Sequence, residues 1–175
     1  MIDLDPAIAA HLERQGVRYC LIGGFALAAH GYPRYTADVD LLTTDRRVLD
    51  DAFWRGISPQ PEIRRGDDFD PLLGVVRWMG ELPVDLIVTG SYAAKLAVDS
   101  ANPNPVGVAV APVIPLILLK LEAGGAFDLD DVARLLEVQA ALGHPALKDQ
   151  VVPHLPHVSE AARAAWPKVL RRLGS

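Results

Sequence analysis

The sequence predicts an α/β (α+β) domain in which a mixed sheet is flanked by helices and followed by a helical carboxyl-terminal part. Two observations predict this class. Short apolar runs of the kind found in strands alternate with longer segments whose apolar residues recur every three or four positions, as in helices. Beyond about residue 112 only the helical spacing continues. We therefore expect an α/β core over residues 1–111 and a helical subdomain over residues 112–175, joined in one compact unit.

The composition favours one ordinary globular domain. The 175 residues are 50% hydrophobic and 22% charged, with a formal net charge of −5. This charge argues against a general nucleic-acid coat, because phosphate binding depends on positive charge. The single cysteine, Cys20, excludes an internal disulfide framework. The longest apolar run is broken by prolines and the amino terminus is acidic, so we expect no membrane span, no signal peptide and a cytoplasmic location.

The predicted strands are short apolar runs that lie between turn signals. The third and fourth are separated only by Gly80 and Glu81, which predicts a hairpin. The polar segment 58–70 before them predicts a loop. In chain order the predicted strands are residues 17–22, 38–43, 72–79 and 82–88, and residues 106–110 are predicted as a strand or an extended segment.

The predicted helices carry apolar residues at helical spacing. The first begins with Asp5 before Pro6, the residue types of an N-cap and a first helical position. The second is alanine-rich and is followed by Gly31, a residue type favoured after helix ends. The last contains Pro167, which predicts a kink or a split. In chain order the predicted helices are residues 6–16, 25–30, 45–55, 91–98, 113–122, 128–142 and 159–173.

Two aspartates in the second predicted strand have chemical interest. Because strand side chains alternate, Asp38 and Asp40 share one face while Val39 and Leu41 take the other. Adjacent carboxylates repel each other unless water or a cation compensates them, and Mg²⁺ prefers such oxygen ligands. The pair therefore indicates a cation site, and the structural alternative is a solvated strand end.

A third aspartate and a glycine pair extend this candidate site. Asp85 stands between apolar neighbours, and since a charge facing the core is penalised, we expect it on the open face beside Asp38 and Asp40. Gly23 and Gly24 separate a strand from a helix, where free backbone N–H groups and the missing Cβ let a phosphate approach. Together these are the parts of a nucleoside-triphosphate site. The alternatives are a tight turn without a ligand and a hairpin surface residue.

These residues resemble those of a known superfamily. The order of Gly23-Gly24, Asp38-Val39-Asp40 and Asp85 is similar to that of the polymerase-beta-type nucleotidyltransferases. The run from Gly23 to Asp40, with its later matches, resembles a small bacterial branch related to the AbiEii-type nucleotidyltransferase toxins, and the similarity extends over residues 17–137. The further residues that match in order are Arg34, Thr36, Asp85, Lys120 and Asp131.

The resemblance implies a nucleotidyltransferase-like fold and the transfer of a nucleoside monophosphate from an NTP to an acceptor hydroxyl. By this analogy Asp38 and Asp40 hold Mg²⁺ or Mn²⁺, and Asp85 completes the metal site and helps to deprotonate the acceptor. The implied acceptor is RNA, a protein or a small molecule, and a toxin of this kind has an antitoxin partner. The residues implied in nucleotide binding are Gly23, Gly24, Arg34, Thr36 and Lys120, with Asp131 as an accessory.

A departure from the branch supports a second hypothesis. Two basic residues that often precede the second-helix aspartates are replaced here by residues 124–127, Gly-Gly-Ala-Phe. A catalytically weak domain that binds a nucleotide or a protein partner as a regulator is therefore the alternative. Asp128 is most simply interpreted as a helix N-cap and Asp131 as a first-turn acid. Lys120 could also extend from its apolar helix to solvent, without a ligand.

Overall fold

A five-stranded mixed sheet forms the centre of the computed structural model, which describes residues 4–67, 72–102 and 107–173. The strand order is β1-β2-β5-β4-β3. β2 and β5 run parallel, and all other neighbours are antiparallel. The α/β class expected from the sequence is confirmed. The strands are β1 (Tyr19–Leu21), β2 (Val39–Thr43), β3 (Glu62–Arg65), β4 (Leu72–Trp78) and β5 (Val84–Thr89).

Helices flank the sheet and form the carboxyl-terminal part. Asp5 caps the first of them, since its carboxylate accepts a hydrogen bond from the Ala7 N–H at 2.8 Å. Across the described residues, no helix combines the length and the apolar character needed to cross a membrane. The helices are α1 (Pro6–Arg14), α2 (Gly23–Ala29), α3 (Tyr92–Asp99), α4 (Val113–Ala123), α5 (Ala126–Ala141), α6 (Leu147–Val151) and α7 (Glu160–Leu170).

The apolar residues divide between the two faces of the sheet. Val39 and Leu41 belong to the main core, whereas Leu42 lies in a smaller core with Cys20 and residues of α3. Asp40 shares the Leu42 face because strand side chains alternate. Residues of α3, and Leu119 of α4, therefore pack on the sheet face that also carries Asp40.

The predicted helix over residues 45–55 is wrong. The segment contains two short 3-10 turns, Arg46–Leu49 and Asp51–Trp54. Asp45 caps the first turn, and Asp50 caps the second by accepting a hydrogen bond from the Ala52 N–H at 2.9 Å. Asp50 has an extended backbone, so its side chain begins a new turn and prevents one continuous helix.

The loop prediction over residues 58–70 is also wrong in part. Glu62–Arg65 forms β3, which pairs antiparallel with β4 at the edge of the sheet. Three of its four residues are exposed, and charged residues are typical of an edge strand, which is why the composition resembles a loop. Residues 68–70 lie outside the described part.

The segment over residues 106–110, predicted as a strand or an extended segment, does not form a full strand. Residue 106 lies outside the described part, and Val110 makes only isolated bridges, to Leu21 and Asn102.

Candidate functional site

Three carboxylates lie together at the amino ends of the two parallel strands. Asp40 of β2 pairs in register with Asp85 of β5. Asp38 lies just before β2, and one oxygen from each of the three side chains lies within 4.8 Å of the others. Asp85 is buried, with 8% of its surface exposed, and the other two are half-buried. Hard oxygen ligands at this separation are suited to a divalent cation such as Mg²⁺ or Mn²⁺.

The electrostatics of Asp40 agree with a cation site. Burial, together with the negative charges of Asp38 and Asp85, raises the pKa of Asp40 to about 6, while Lys120 and Arg34 act in the opposite direction. A carboxylate that is costly to ionise becomes easier to ionise when a cation binds. The donor set therefore fits a hard divalent cation both in its chemistry and in its charge.

Gly23 and Gly24 allow α2 to begin directly against the carboxylates. Gly23 has φ +63°, and a Cβ there would lie 1.9 Å from Asp40 Oδ2. A Cβ on Gly24 would lie 2.7 Å from the Cβ of Thr36. Close packing thus explains why both positions are glycine, and it brings backbone N–H groups of the α2 start beside Asp40.

Thr36 connects the loop before β2 to Asp38. Its hydroxyl donates to the Asp38 backbone oxygen at 3.2 Å and lies 3.3 Å from Asp38 Oδ1. The Thr36 side chain also packs on Gly24. Thr36 therefore orders Asp38 and the α2 start together.

Two further predicted residues form a charged network beside Asp40. Arg34 Nε lies 3.1 Å from Asp131 Oδ1, and Lys120 Nζ lies 3.0 Å from Asp131 Oδ2 and 2.7 Å from Asp128 Oδ1. The network joins the loop before β2, α4 and α5. It places two cations close enough to Asp40 to favour its ionised form.

The N-cap interpretation of Asp128 is wrong. α5 begins at Ala126 with Gly125 as its N-cap, so Asp128 lies inside the first turn. Its carboxylate pairs with Lys120 instead of capping backbone N–H groups. The chain turns from α4 into α5 within two residues, Gly124 and Gly125. Gly124 has φ +68°, which favours glycine there.

A cavity of about 180 Å³ lies between the carboxylates and α4. Its polar rim is formed by Asp40, Lys120 and Asp128, together with the Gly23 backbone. The apolar residues that line it are Ile22, Ile87, Leu116, Leu119 and Ala123. Asp40, Lys120 and Asp128 thus open onto one shared space.

Arg77 also belongs to the site, and no motif in the sequence indicated it. Its guanidinium donates to both oxygens of Asp85, with Nε 2.6 Å from Oδ1, and lies 3.9 Å from Asp38. The available signal was a single charge in the otherwise apolar strand β4. Its partner depends on the register between β4 and β5, which pairs Arg77 with Asp85.

No family model and no curated protein sequence matches the chain. Solved structures do resemble it. The crystal structure of ANT(2'')-Ia in complex with adenylyl-2''-tobramycin aligns at a TM-score of 0.54 and 15% identity, covering 93% of this chain and 94% of that one. The solution structure of the antibiotic-resistance factor ANT(2'')-Ia aligns at 0.50 and 17%, covering 95% and 91%.

The chain has a nucleotidyltransferase fold. The chain also aligns with a nucleotidyltransferase-like protein from Paracoccidioides brasiliensis. That alignment has a TM-score of 0.46 and 17% identity, and it covers 86% of this chain and 89% of that one. The two likenesses to ANT(2'')-Ia show the fold alone. The AbiEii-type branch rests on the sequence resemblance alone.

Proposed function

We propose that the protein is a metal-dependent nucleotidyltransferase, which moves a nucleoside monophosphate from an NTP to an acceptor hydroxyl and releases pyrophosphate. The observation that carries the proposal is the convergence of Asp38, Asp40 and Asp85 within 4.8 Å of one another. Such transfers depend on positioning and charge neutralisation more than on covalent chemistry by the protein. A small domain with one carboxylate cluster is sufficient for that task.

The three aspartates would hold the cation, Mg²⁺ or Mn²⁺. When bound, the cation supplies charge neutralisation at the reacting phosphate. The protein itself keeps these carboxylates assembled through Thr36 on Asp38, the α2 start on Asp40 and Arg77 on Asp85.

The basic side of the site would bind the triphosphate. Lys120 lines the cavity beside Asp40, and Arg34 is joined to it through Asp131. Lysine acts on phosphate as a point charge and arginine as a planar fork. Gly23 and Gly24 would contact the phosphates through their backbone N–H groups.

Asp85 would receive the proton of the acceptor hydroxyl. The hydroxyl oxygen forms a bond to the α-phosphorus, and the bond to the pyrophosphate oxygen breaks. Arg77 fixes the plane of the Asp85 carboxylate through its two hydrogen bonds.

The acceptor is RNA, a protein or a small molecule. A toxin role with an antitoxin partner follows from the AbiEii-type resemblance. A small-molecule acceptor is supported by the likeness to ANT(2'')-Ia, whose structure contains an adenylylated tobramycin.

Transfer of label from α-³²P-NTPs tests the proposal. Each of the four nucleotides is incubated with Mg²⁺ and cell extract, and RNA, protein and small-molecule fractions are separated. We expect label in one fraction, lost with Asp38→Asn and Asp40→Asn and retained with Asp130→Asn, an exposed matched control. Label that persists in both site variants would contradict the proposal.

A second function, a nucleotide-binding regulator without transfer, is favoured by one observation. Lys120 and Arg34 are already paired with Asp128 and Asp131, and no basic residue stands at positions 124–127. For a regulator we expect Mg²⁺-dependent NTP binding in calorimetry with no labelled product in any fraction.

A further inference from the structure

Two basic side chains from distant parts of the chain meet on one buried carboxylate. Arg34 comes from the loop before β2 and Lys120 from α4. Asp131 of α5 is 4% exposed, and its two oxygens face the two cations separately, at 3.1 Å and 3.0 Å. Within the described part of the chain Oδ2 has no hydrogen bond, so the Lys120 ammonium is its compensating charge.

Asp128 differs from Asp131 in burial and in partners. Its side chain is 26% exposed, and among the described residues its one ion-pair partner is Lys120, at 2.7 Å. It lines the cavity that also contains Asp40 and Lys120, whereas Asp131 is not among the residues that line this cavity. Asp128 therefore occupies the cavity side of the Lys120 ammonium, where an anion entering from the cavity would bind.

We propose that these two carboxylates of α5 have opposite effects on a bound polyphosphate: Asp131 positions Arg34 and Lys120, and Asp128 competes for Lys120. The ligand class is a polyphosphate anion, which under the proposed function is the triphosphate of an NTP. The inference deepens that function by assigning to this chain an internal competitor of its own substrate.

The difference in burial explains why Asp128, and not Asp131, would be displaced from Lys120. Displacing Asp131 from Lys120 would leave the buried Oδ2 without its compensating charge, which is strongly unfavourable. Asp128 can turn to solvent and be hydrated, at much lower cost. A lysine ammonium has three donors, so Lys120 can keep Asp131 while it exchanges Asp128 for a phosphate oxygen.

Calorimetric binding of inorganic tripolyphosphate tests the proposal without requiring catalysis. Titrations in EDTA compare the wild type with Asp128→Asn, Asp131→Asn and Asp130→Asn, and all three variants change the net charge by the same amount. Asp130 is exposed on the same helix. We expect Asp128→Asn to tighten binding by about fivefold and Asp131→Asn to weaken it by at least about tenfold. Asp130→Asn reports the effect of charge alone.

Two further variants keep the test decisive if Asp131→Asn does not fold. Arg34→Gln removes the more exposed partner of Asp131 and is expected to weaken tripolyphosphate binding. Lys120→Met is combined with Asp128→Asn, and the tightening by Asp128→Asn should disappear in that background. Equal effects of Asp128→Asn and Asp130→Asn, or tightening that persists without Lys120, would overturn the proposal.

The same titrations separate this inference from the proposed function. If Asp128→Asn and Asp131→Asn have opposite effects on tripolyphosphate binding but no fraction is labelled, the competing role of Asp128 is supported and the transferase activity is rejected. If label is transferred but tripolyphosphate binding is unchanged in both variants, the transferase activity is supported and the competing role of Asp128 is rejected.

Discussion

Arg77 forms a bidentate ion pair with Asp85, with Nε 2.6 Å from Oδ1 and Nη2 bonded to Oδ2. The two residues are cross-strand partners in β4 and β5, and Asp40 is the next partner along the same row. The fixed positive charge of Arg77 thus compensates one of three neighbouring carboxylates. The remaining two negative charges match one divalent cation.

Replacing Arg77 should make the fold depend more on a bound cation. We expect Arg77→Met to lower the free energy of unfolding by about 1–2 kcal/mol in EDTA, because two charge-assisted hydrogen bonds are lost and the carboxylates are left uncompensated. Mn²⁺ should reduce this difference, since a bound cation replaces the missing charge. Urea unfolding with and without Mn²⁺ measures both effects.

Arg64→Met is the matched control, because Arg64 lies exposed on β3 and pairs with Glu62. Its effect should be small and independent of Mn²⁺. An Arg77→Met effect that Mn²⁺ leaves unchanged would show that Arg77 does not compensate a cation site.

Ionisation of Asp40 in the folded state should lower the free energy of unfolding as the pH rises toward about 6. Its pKa is raised from 3.8 to about 6, mainly by burial. Between about pH 4 and pH 6 the folded state therefore keeps a proton on Asp40 that the unfolded state has lost. The ionisation cost is absent below pH 4 and complete above pH 6. Asp40→Asn should therefore be more stable than the wild type at pH 7.5, by up to about 3 kcal/mol, with the gain fading toward pH 4. Urea unfolding in EDTA at several pH values measures this.

Asp45→Asn should show the opposite pH dependence. The side-chain hydrogen bond from Arg47 lowers the pKa of Asp45, so its ionised form stabilises the fold above its ordinary pKa. This variant should be less stable than the wild type at neutral pH, and the difference should shrink in acid. If Asp40→Asn behaved like Asp45→Asn, the burial cost assigned to Asp40 would be wrong.

Gly23 is expected to tolerate no side chain. Gly23→Ala places a Cβ 1.9 Å from Asp40 Oδ2 on a residue with φ +63°. Gly16 has φ +67° with no atom within 4 Å of the added Cβ, so Gly16→Ala measures the backbone cost alone, about 1–2 kcal/mol. Gly23→Ala should cost at least about 1 kcal/mol more and should reduce the rise in melting temperature that Mn²⁺ produces. Equal costs at the two glycines would mean that α2 shifts freely away from Asp40.

The Thr36 hydroxyl should affect cation binding more than stability. Thr36→Val keeps the shape that packs on Gly24 but removes the donor to Asp38. We expect a loss below about 1 kcal/mol in stability and a clearly smaller Mn²⁺-induced rise in melting temperature. Thr36→Ser retains the hydroxyl and should keep that rise, and a similar loss in both variants would assign the effect to packing.

The hairpin shows where a correct local prediction stops. A two-residue turn at Gly80-Glu81 would pair Arg77 with Val84, whereas the longer connection in the structure pairs Arg77 with Asp85. A shift of one residue changes every cross-strand partner. The strands and their antiparallel pairing were predictable from composition, but the ion pair at the site was not.

The charged network was beyond prediction for a different reason. Arg34, Lys120 and Asp131 are matched by the sequence resemblance, but their mutual contacts join three separate elements. The resemblance assigned the two cations to nucleotide contacts, and it could not indicate that both already pair with carboxylates of α5. These contacts depend on how α4 and α5 pack, which the chain's apolar spacing leaves open.

The sequence by itself determined the α/β class, the shared face of Asp38 and Asp40, and the glycine pair at the start of α2. These features depend on strand alternation, helical spacing and glycine geometry, which operate over a few residues. Only the tertiary structure decided which charge compensates each carboxylate: Arg77 for Asp85, and Lys120 with Arg34 for Asp131. Those pairings require strand register and helix packing, and both are set by long-range burial of the core.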